Sequence, residues 1–256
     1  MRRRSLDHTL RGLVDEAATR YLGISRASSE FARGKLRLDP VYLAVLERDI
    51  LPDKGTIVDC GCGQGLMLAL IASARNRDGR TWRSADGEQG PPCKLYGIEK
   101  RRRSVHIARR ALGREATILH GDLRVTSLPR SDALLAFDVM HLIPWADQDE
   151  LLVQMKDAIA PGGWLVLRDA DASGGWRFRA VHLWNWLVHT LHGRWQPQFF
   201  FRTADEWRER LERLGFEVHT EPMGTGTPFA NVVFYARHRH DENALETGEN
   251  DDRSHG

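Results

Sequence analysis

The sequence predicts an α/β fold: a doubly wound, mostly parallel seven-stranded sheet with an antiparallel last strand and an aromatic-rich helical cap. Two observations carry this prediction. From residue 56 to residue 167, short apolar segments rich in β-branched residues alternate with amphipathic helical patterns, and several segments end in a carboxylate residue. After residue 203, one helical pattern is followed by two strands with no helix between them, which favours antiparallel pairing.

The composition describes an ordinary water-soluble protein. A chain of 256 residues suits one large domain, or one domain with a cap, and its formal net charge of +2 does not favour a nucleic-acid partner. No signal peptide and no apolar run long enough to cross a bilayer is evident, so we expect a cytoplasmic protein without membrane insertion. The three cysteines have neither disulfide nor zinc spacing, and no metal site is predicted.

The first part of the chain is predicted to be helical. Residues 1–54 are expected to form an N-terminal helical segment that packs on the core. Asp39 and Pro40 supply the N-cap and the first helical position for a helix at 41–50, and the Leu-Pro-Asp-Lys-Gly sequence at 51–55 ends it.

Residues 55–238 are predicted to form the main domain. Its strands are expected at 56–59, 94–98, 116–120, 133–137, 164–167, 216–220 and 231–236, and its helices at 66–75, 104–112, 149–159 and 204–214. Pro161-Gly162-Gly163 is expected to separate a helix from a strand. Residues 76–92 are expected to be a flexible surface insertion, 173–202 a cap insertion, and 239–256 a disordered tail.

The most informative segment is the glycine-rich turn after the first strand. Asp59 ends the strand, glycines follow at 61, 63 and 65, and an apolar helical pattern begins at Leu66. Such a turn lets the backbone approach a ligand closely, and the free N–H groups of the helix start favour an anionic group there. A phosphate loop would need Gly-Lys-Ser/Thr, but Leu66 follows the last glycine.

A dinucleotide site is also disfavoured, although a nicotinamide oxidoreductase stays open as an alternative. That site has the spacing Gly-x-Gly-x-x-Gly and an acidic residue about 20 positions later. Here the glycines stand at every second position, and Glu99 follows Gly61 by 99 − 61 = 38 residues.

Asp59-x-Gly-x-Gly-x-Gly resembles the first motif of the class I S-adenosylmethionine-dependent methyltransferases. The resemblance covers about residues 55–236 and implies a Rossmann-like methyltransferase fold with S-adenosyl-L-methionine as cofactor. It assigns the methionine end of the cofactor to the turn, the ribose to the end of the second strand, and the adenine to the end of the third. The cofactor-binding residues implied are Asp59, Cys60, Gly61, Gly63, Gly65, Glu99, Lys100, Asp122, Leu123 and Asp138.

Each assignment has a structural alternative. Asp59 could cap the following helix, and Glu99 could belong to a solvated charged cluster with residues 100–103. Gly121-Asp122 is also a common turn pair.

The protein mainly has to align the acceptor with the methyl group of S-adenosylmethionine, because the sulfonium already activates that methyl group for transfer. An oxygen acceptor must also lose a proton, which requires a general base. His141 is the preferred catalytic base because its ordinary pKa lies near neutrality, and Asp138 either orients it or contacts the methionine end of the cofactor. A structural histidine packed beneath the cap is the alternative for His141.

The acceptor is the least defined part of the prediction. The segment after the fourth strand lacks the Asn-Pro-Pro-Tyr/Phe tetrad typical of methyltransferases that act on amide or nucleobase nitrogens. Residues 176–207 hold nine of the chain's 21 Trp, Phe and Tyr residues and would suit a lid over an apolar or aromatic acceptor. Residues 31–40 are similar to small methyltransferases encoded with aryl-polyene or fatty-acid-like assembly enzymes.

The predicted activity is therefore methyl transfer to a small aromatic or acyl acceptor, free or bound to a carrier protein. Nucleic acid is not the favoured partner, and the oligomeric state is open. The alternatives are methylation of RNA or protein, and a non-catalytic scaffold that binds the cofactor.

Overall fold

Seven strands form one sheet in the order β3-β2-β1-β4-β5-β7-β6. The computed structural model describes residues 2–48, 50–76, 93–191, 198–224 and 229–239, so the predicted insertion and tail lie almost wholly outside the described residues. The strands are β1 Thr56–Cys60, β2 Lys94–Glu99, β3 Thr117–His120, β4 Ser131–Phe137, β5 Ile159–Ala170, β6 Phe216–Pro222 and β7 Asn231–His238. Among the described strands, β7 alone runs antiparallel to its neighbours β5 and β6, which confirms the predicted fold class.

Helices cover both faces of this sheet, because apolar side chains of the strands point alternately to each face. The helices are α1 Arg2–Thr19, α2 Arg26–Leu38, α3 Val41–Glu47, α4 Leu66–Asn76, α5 Arg102–Leu112, α6 Trp145–Ala158, α7 Gly175–Leu191 and α8 Ala204–Arg213. One core contains Ile57 together with apolar residues of α1 to α5. The other contains Val58 together with apolar residues of α6 and α8.

The N-terminal helices contribute directly to the first core. Val14 and Leu36 are fully buried in it, and so is Tyr21, which follows α1. The Tyr21 hydroxyl donates a 2.9 Å hydrogen bond to the carbonyl of Gln64, a residue of the glycine-rich turn. The segment after α1 is therefore joined to the glycine-rich turn by a side-chain hydrogen bond.

Two predicted boundaries near α6 are wrong. The helix begins at Trp145, not at 149, because Pro144 precedes it and the Pro144 carbonyl accepts the Gln148 N–H at 2.9 Å. Pro161-Gly162-Gly163 does not separate the helix from a strand but lies inside β5. There the pairing shifts register between Ser131 and Ala133, and this irregularity accommodates a proline within a strand.

None of the helices among the described residues is both long and apolar enough to cross a membrane.

Candidate active site

Several acidic residues lie at or just after the carboxyl ends of the parallel strands, and four of them concern the centre of the site. They are Asp59 of β1, Glu99 of β2, Asp138 after β4 and Asp169 of β5. The chain changes direction of winding between β1 and β4, and open α/β sheets bind ligands at this kind of switch point.

The glycine-rich turn is held against the neighbouring strand ends. The N–H groups of Gly61 and Cys62 both donate to the Ile98 carbonyl, at 2.8 and 3.1 Å. Gly61 has a φ of +75°, and a Cβ there would lie 2.6 Å from Cγ2 of Val139. The turn thus needs glycine at position 61 for two reasons, its backbone conformation and the close approach of the segment after β4.

Glu99 links β2 to the turn. Its side chain is almost fully buried, and one carboxylate oxygen accepts the Gly63 N–H at 2.9 Å. The other oxygen accepts the backbone N–H and the Nε–H of Arg101, at 2.7 and 3.1 Å. The structure therefore places the predicted ribose-binding carboxylate directly beside the turn predicted to hold the methionine end.

Asp59 is a buried carboxylate with no hydrogen bond to any residue that the structure describes. Its side chain is 3% exposed. Burial, and then the nearby negative charge of Glu99, raise its pKa to about 7. A cationic group placed beside it would compensate this carboxylate, and the ammonium group of an amino-acid ligand meets that need.

The residues of the turn thus fit an amino-acid-bearing nucleoside. The Oε1 atom of Gln64 is likewise buried without a hydrogen-bond partner in the described part of the chain. The predicted residue Cys60 has only its main chain available to a ligand, because its side chain is fully buried in the core with Val58 and Ile98. Burial also raises the pKa of its thiol.

The predicted adenine-binding loop lies at the end of β3. Asp122 accepts hydrogen bonds from Lys100 Nζ at 2.7 Å and from Arg124 Nη2 at 2.8 Å. The Arg124 hydrogen bonds, followed by Lys100, hold the pKa of the Asp122 carboxyl well below its usual range. Leu123 is buried in the core that contains Val58 and Ile98. The structure therefore joins the predicted residues Lys100 and Asp122 in one ion pair.

Asp138 contacts a buried arginine and not the histidine. It has a φ of +53°, and its carboxylate accepts hydrogen bonds from Arg168 Nε at 3.0 Å and from Arg168 Nη2. Arg168 is 1% exposed and also donates two hydrogen bonds to Asp39, at the junction of α2 and α3. Asp138 is thus part of an ion-pair network that reaches the N-terminal helices.

His141 is oriented by Asp169, a residue of β5 that the sequence analysis did not assign to the site. The Nδ1 atom of His141 lies 2.7 Å from Oδ1 of Asp169, and the His141 backbone N–H donates to Oδ2 at 3.0 Å. Burial lowers the pKa of His141, but the Asp169 carboxylate outweighs burial, and the net shift is upward. The only signal in the sequence was that Asp169 lies in a segment after a strand, like Asp138.

Aromatic rings form a wall beside this pair. The His141 ring stacks on Phe201 with centroids 4.5 Å apart and an interplanar angle of 15°. Phe199 lies next to both rings, and Phe178 of α7 meets Phe201 edge-on. His141 therefore faces the aromatic-rich region that the sequence assigned to a lid.

The buried side chain of Gln148 fixes the wall relative to His141. Its Nε2 lies 2.9 Å from the Met140 and Ile143 carbonyls, on either side of His141, and 2.8 Å from the Phe200 carbonyl. Its Oε1 accepts Nε–H of Arg202 at 2.7 Å, and the Phe200 N–H donates to the His141 carbonyl at 2.8 Å. The aromatic segment and the histidine are thus joined through main-chain atoms.

The described residues contain no group of three or more His, Cys, Asp or Glu side chains placed to hold a metal ion.

Residues 29–221 match a protein-family model described as a methyltransferase domain. No curated protein matches the chain.

Solved structures with the same fold have low sequence identity to this chain. One is the putative methyltransferase in a complex with the Haloferax volcanii Trm112 methyltransferase activator, with a TM-score of 0.59, 16% identity, and coverage of 81% of this chain and 92% of that one. Human N-acetylserotonin methyltransferase with bound SAM has a TM-score of 0.57, 16% identity, and coverage of 82% and 54%. Magnesium protoporphyrin IX methyltransferase from Synechocystis with bound SAH has a TM-score of 0.54, 16% identity, and coverage of 83% and 87%.

The family match spans most of the chain, and the strand order and the glycine-rich turn agree with it. The chain therefore belongs to the methyltransferase domain family and is a class I S-adenosylmethionine-dependent methyltransferase.

Proposed function

We propose that this enzyme transfers the methyl group to an oxygen of a small apolar acceptor, an aromatic or acyl compound that is free or bound to a carrier protein. The observation that carries the proposal is the buried pair of His141 and Asp169, with 2.7 Å between Nδ1 and Oδ1, beside a wall of phenylalanine rings. Two structural neighbours are named for N-acetylserotonin and magnesium protoporphyrin IX, so the shared fold does not select the acceptor.

The cofactor, when bound, supplies a methyl group activated by the attached sulfonium. Asp59 and the glycine-rich turn would hold its methionine end, Glu99 its ribose, and Asp122 with Leu123 its adenine. These residues would hold the methyl donor, and the aromatic wall would form the part of the site that binds the acceptor.

His141 would act as the general base. Asp169 engages Nδ1, so Nε2 is the nitrogen that can take the proton lost by the acceptor oxygen. Since Asp169 also accepts N–H groups from the His141 and Ala170 backbone, at 3.0 and 2.8 Å, it cannot rotate freely. The imidazole is therefore held in one orientation and one tautomer.

The aromatic wall would select the acceptor. Phe178, Phe199 and Phe201 provide flat apolar surfaces next to the base. Such surfaces bind an apolar or aromatic group well and exclude water from the reacting oxygen.

The test is methyl transfer from labelled cofactor to a panel of phenols, aryl and acyl carboxylates, and carrier-bound thioesters. We expect His141→Gln to lower kcat by about 10²–10⁴-fold on the best acceptor, without changing the Kd for S-adenosylmethionine measured by calorimetry. His219→Gln is the matched control, because His219 is exposed on β6, and it should leave kcat unchanged.

Full turnover in the His141→Gln variant would show that His141 is not the base. RNA and unfolded protein are included in the panel, and transfer to either of them alone would replace the small-molecule proposal. Cofactor binding without transfer to any member would favour the scaffold.

A further inference from the structure

Helix α7 exposes large apolar side chains on one face. Trp176 is 70% exposed, Leu183 64% and Trp186 45%. They stand at i, i+7 and i+10, a spacing that puts them on the same side of an α-helix, and the exposed Arg179 falls between them. Single exposed apolar residues are normal on protein surfaces, but a cluster of this kind marks an interaction site. We call Trp176, Arg179, Leu183 and Trp186 the α7 face.

The α7 face cannot be buried by rotation of the helix. Phe178 and Val181 lie on the opposite side, where they pack with Phe201 and Ala170 in a small core of their own. Arg177 also anchors the helix, because its Nη2 donates a 2.6 Å hydrogen bond to the Gly224 carbonyl. The helix is therefore attached by one side, and the α7 face remains outward.

The charges on α7 have one sign. The helix contains Arg177 and Arg179 and no acidic residue. Tryptophan is enriched where one end of a side chain meets apolar groups and the other meets water, as at the surface of a bilayer. Helices that lie on anionic membranes combine such an apolar face with basic residues.

We infer that the α7 face docks the enzyme on an anionic lipid surface, with the two tryptophans at the acyl boundary and Arg179 among the headgroups. A second copy of the chain fits less well, because a twofold interface centred on this face would bring the two Arg179 guanidiniums together. The charge of Arg179 complements phosphate groups instead.

Docking would bring the aromatic wall close to the bilayer. The buried side of α7 contacts Phe201, which stacks on His141. An apolar acceptor dissolved in the membrane would then reach the site by a short path. This consequence rests on the proposed function, whereas docking itself is independent of which acceptor is methylated.

The experiment is sedimentation of the full chain with vesicles of phosphatidylcholine alone and with vesicles that also contain phosphatidylglycerol. We expect partitioning onto the anionic vesicles, weakened by salt. The double substitution Trp176→Ala with Trp186→Ala should lower the partition coefficient at least about tenfold, since each indole buries a large apolar area. Arg179→Gln should lower it about fivefold on anionic vesicles only, the effect of about one basic residue near the surface.

Val153→Ser is the matched control, because Val153 is an exposed apolar residue on α6, and it should partition like the wild type. Binding of S-adenosylmethionine by each variant shows that it is folded and separates a loss of docking from a failure of the enzyme. Absence of wild-type partitioning onto anionic vesicles overturns the proposal. It is also overturned if light scattering finds a wild-type dimer that the double substitution converts to a monomer.

Discussion

The guanidinium of Arg168 donates two hydrogen bonds to the carboxylate of Asp39, a residue 129 positions earlier in the chain. The same guanidinium binds Asp138 at the edge of the sheet, and its side chain is 1% exposed. One buried cation therefore connects the α2–α3 junction to the strand end that borders the glycine-rich turn.

Substitution of Asp39 should destabilise the whole domain. In Asp39→Asn, Arg168 keeps Asp138 as its one charged partner among the described residues, and we expect the free energy of unfolding to fall by about 2–3 kcal/mol at neutral pH. Denaturant unfolding measures this. Asp15→Asn is the control, since Asp15 is half-exposed in its ion pairs with Arg33 and Arg37 and should lose less than about 1 kcal/mol.

The Asp39 ion pair also predicts a dependence of stability on acid. Burial raises the pKa of Asp39, but Arg168 and Lys35 outweigh it and lower the value to about 2. Its contribution to stability is thus complete above about pH 4, the ordinary pKa of aspartate, and is lost as the pH falls towards 2. The difference in Tm between wild type and Asp39→Asn should shrink over that range. A difference that stays constant would contradict this assignment.

Removal of the negative charge beside His141 should change the pH profile of catalysis. In the proposed function the base is the neutral imidazole of His141, and its raised pKa means that this form predominates only above the ordinary histidine value of about 6.5. In Asp169→Asn the pKa of His141 should fall, so the acidic limb of kcat/KM moves to lower pH, while kcat falls at least about tenfold because the ring loses its orientation. A limb that does not move would show that another group controls the profile.

We predict that the Asp59 carboxylate lowers the stability of the free enzyme and strengthens the binding of S-adenosylmethionine. Its pKa of about 7 lies above the unfolded value of 3.8, so the buried carboxylate destabilises the free enzyme increasingly as the pH rises from about 4 through 7. At pH 8, Asp59→Asn should raise the free energy of unfolding by about 1–3 kcal/mol and weaken S-adenosylmethionine binding at least about tenfold. At pH 5 the gain in stability should be smaller.

Calorimetry and denaturant unfolding at the two pH values test this pair of effects. Asp157→Asn is the control, because Asp157 is an exposed carboxylate of α6. A loss of stability in Asp59→Asn at pH 8 would be the wrong sign for an uncompensated buried charge.

The contact between Gly61 and Val139 can be isolated by comparison of two glycines. Gly61→Ala should cost more stability than Gly113→Ala, because Gly113 also has a positive φ, of 55°, but a Cβ there meets nothing within 4 Å. We expect a difference of about 2 kcal/mol, since overpacking costs about 1–3 kcal/mol. The double variant Gly61→Ala with Val139→Ala should recover part of this lost stability, because the smaller side chain at 139 makes room for the new Cβ. Equal losses of stability in Gly61→Ala and Gly113→Ala would mean that the positive φ alone accounts for the cost and that the contact with Val139 adds nothing.

The sequence sufficed for the topology because each strand end carried a local signal. The alternation of strands and helices, together with the acidic residues Asp59 and Glu99, indicates the carboxyl edge of the sheet from local sequence alone. Boundaries were less accurate around Pro161, because a register shift in the sheet allows a strand to pass through a segment that local propensity assigns to a loop.

The partners of the site residues were not predictable in the same way. Asp138 was predicted either to orient His141 or to contact the methionine end of the cofactor, and the structure pairs His141 with Asp169 and Asp138 with Arg168. Asp138 comes directly after β4 and Asp169 is the penultimate residue of the adjacent β5, and the choice between them depends on the register of β4 against β5 and on the positive φ of Asp138. Neither property is encoded in a periodic pattern.

The hydrogen bonds of Gln148 allow the side chains at positions 199 and 201 to change without loss of the backbone arrangement around them. Its amide holds the segments around His141 and Phe200 through carbonyl groups, which every residue type possesses. The rings at 199 and 201 can therefore be exchanged for other side chains while the backbone on both sides keeps its place. In the proposed function these two rings line the acceptor site, so libraries restricted to positions 199 and 201 should change the choice of acceptor while the main chain around His141 and its pairing with Asp169 are kept.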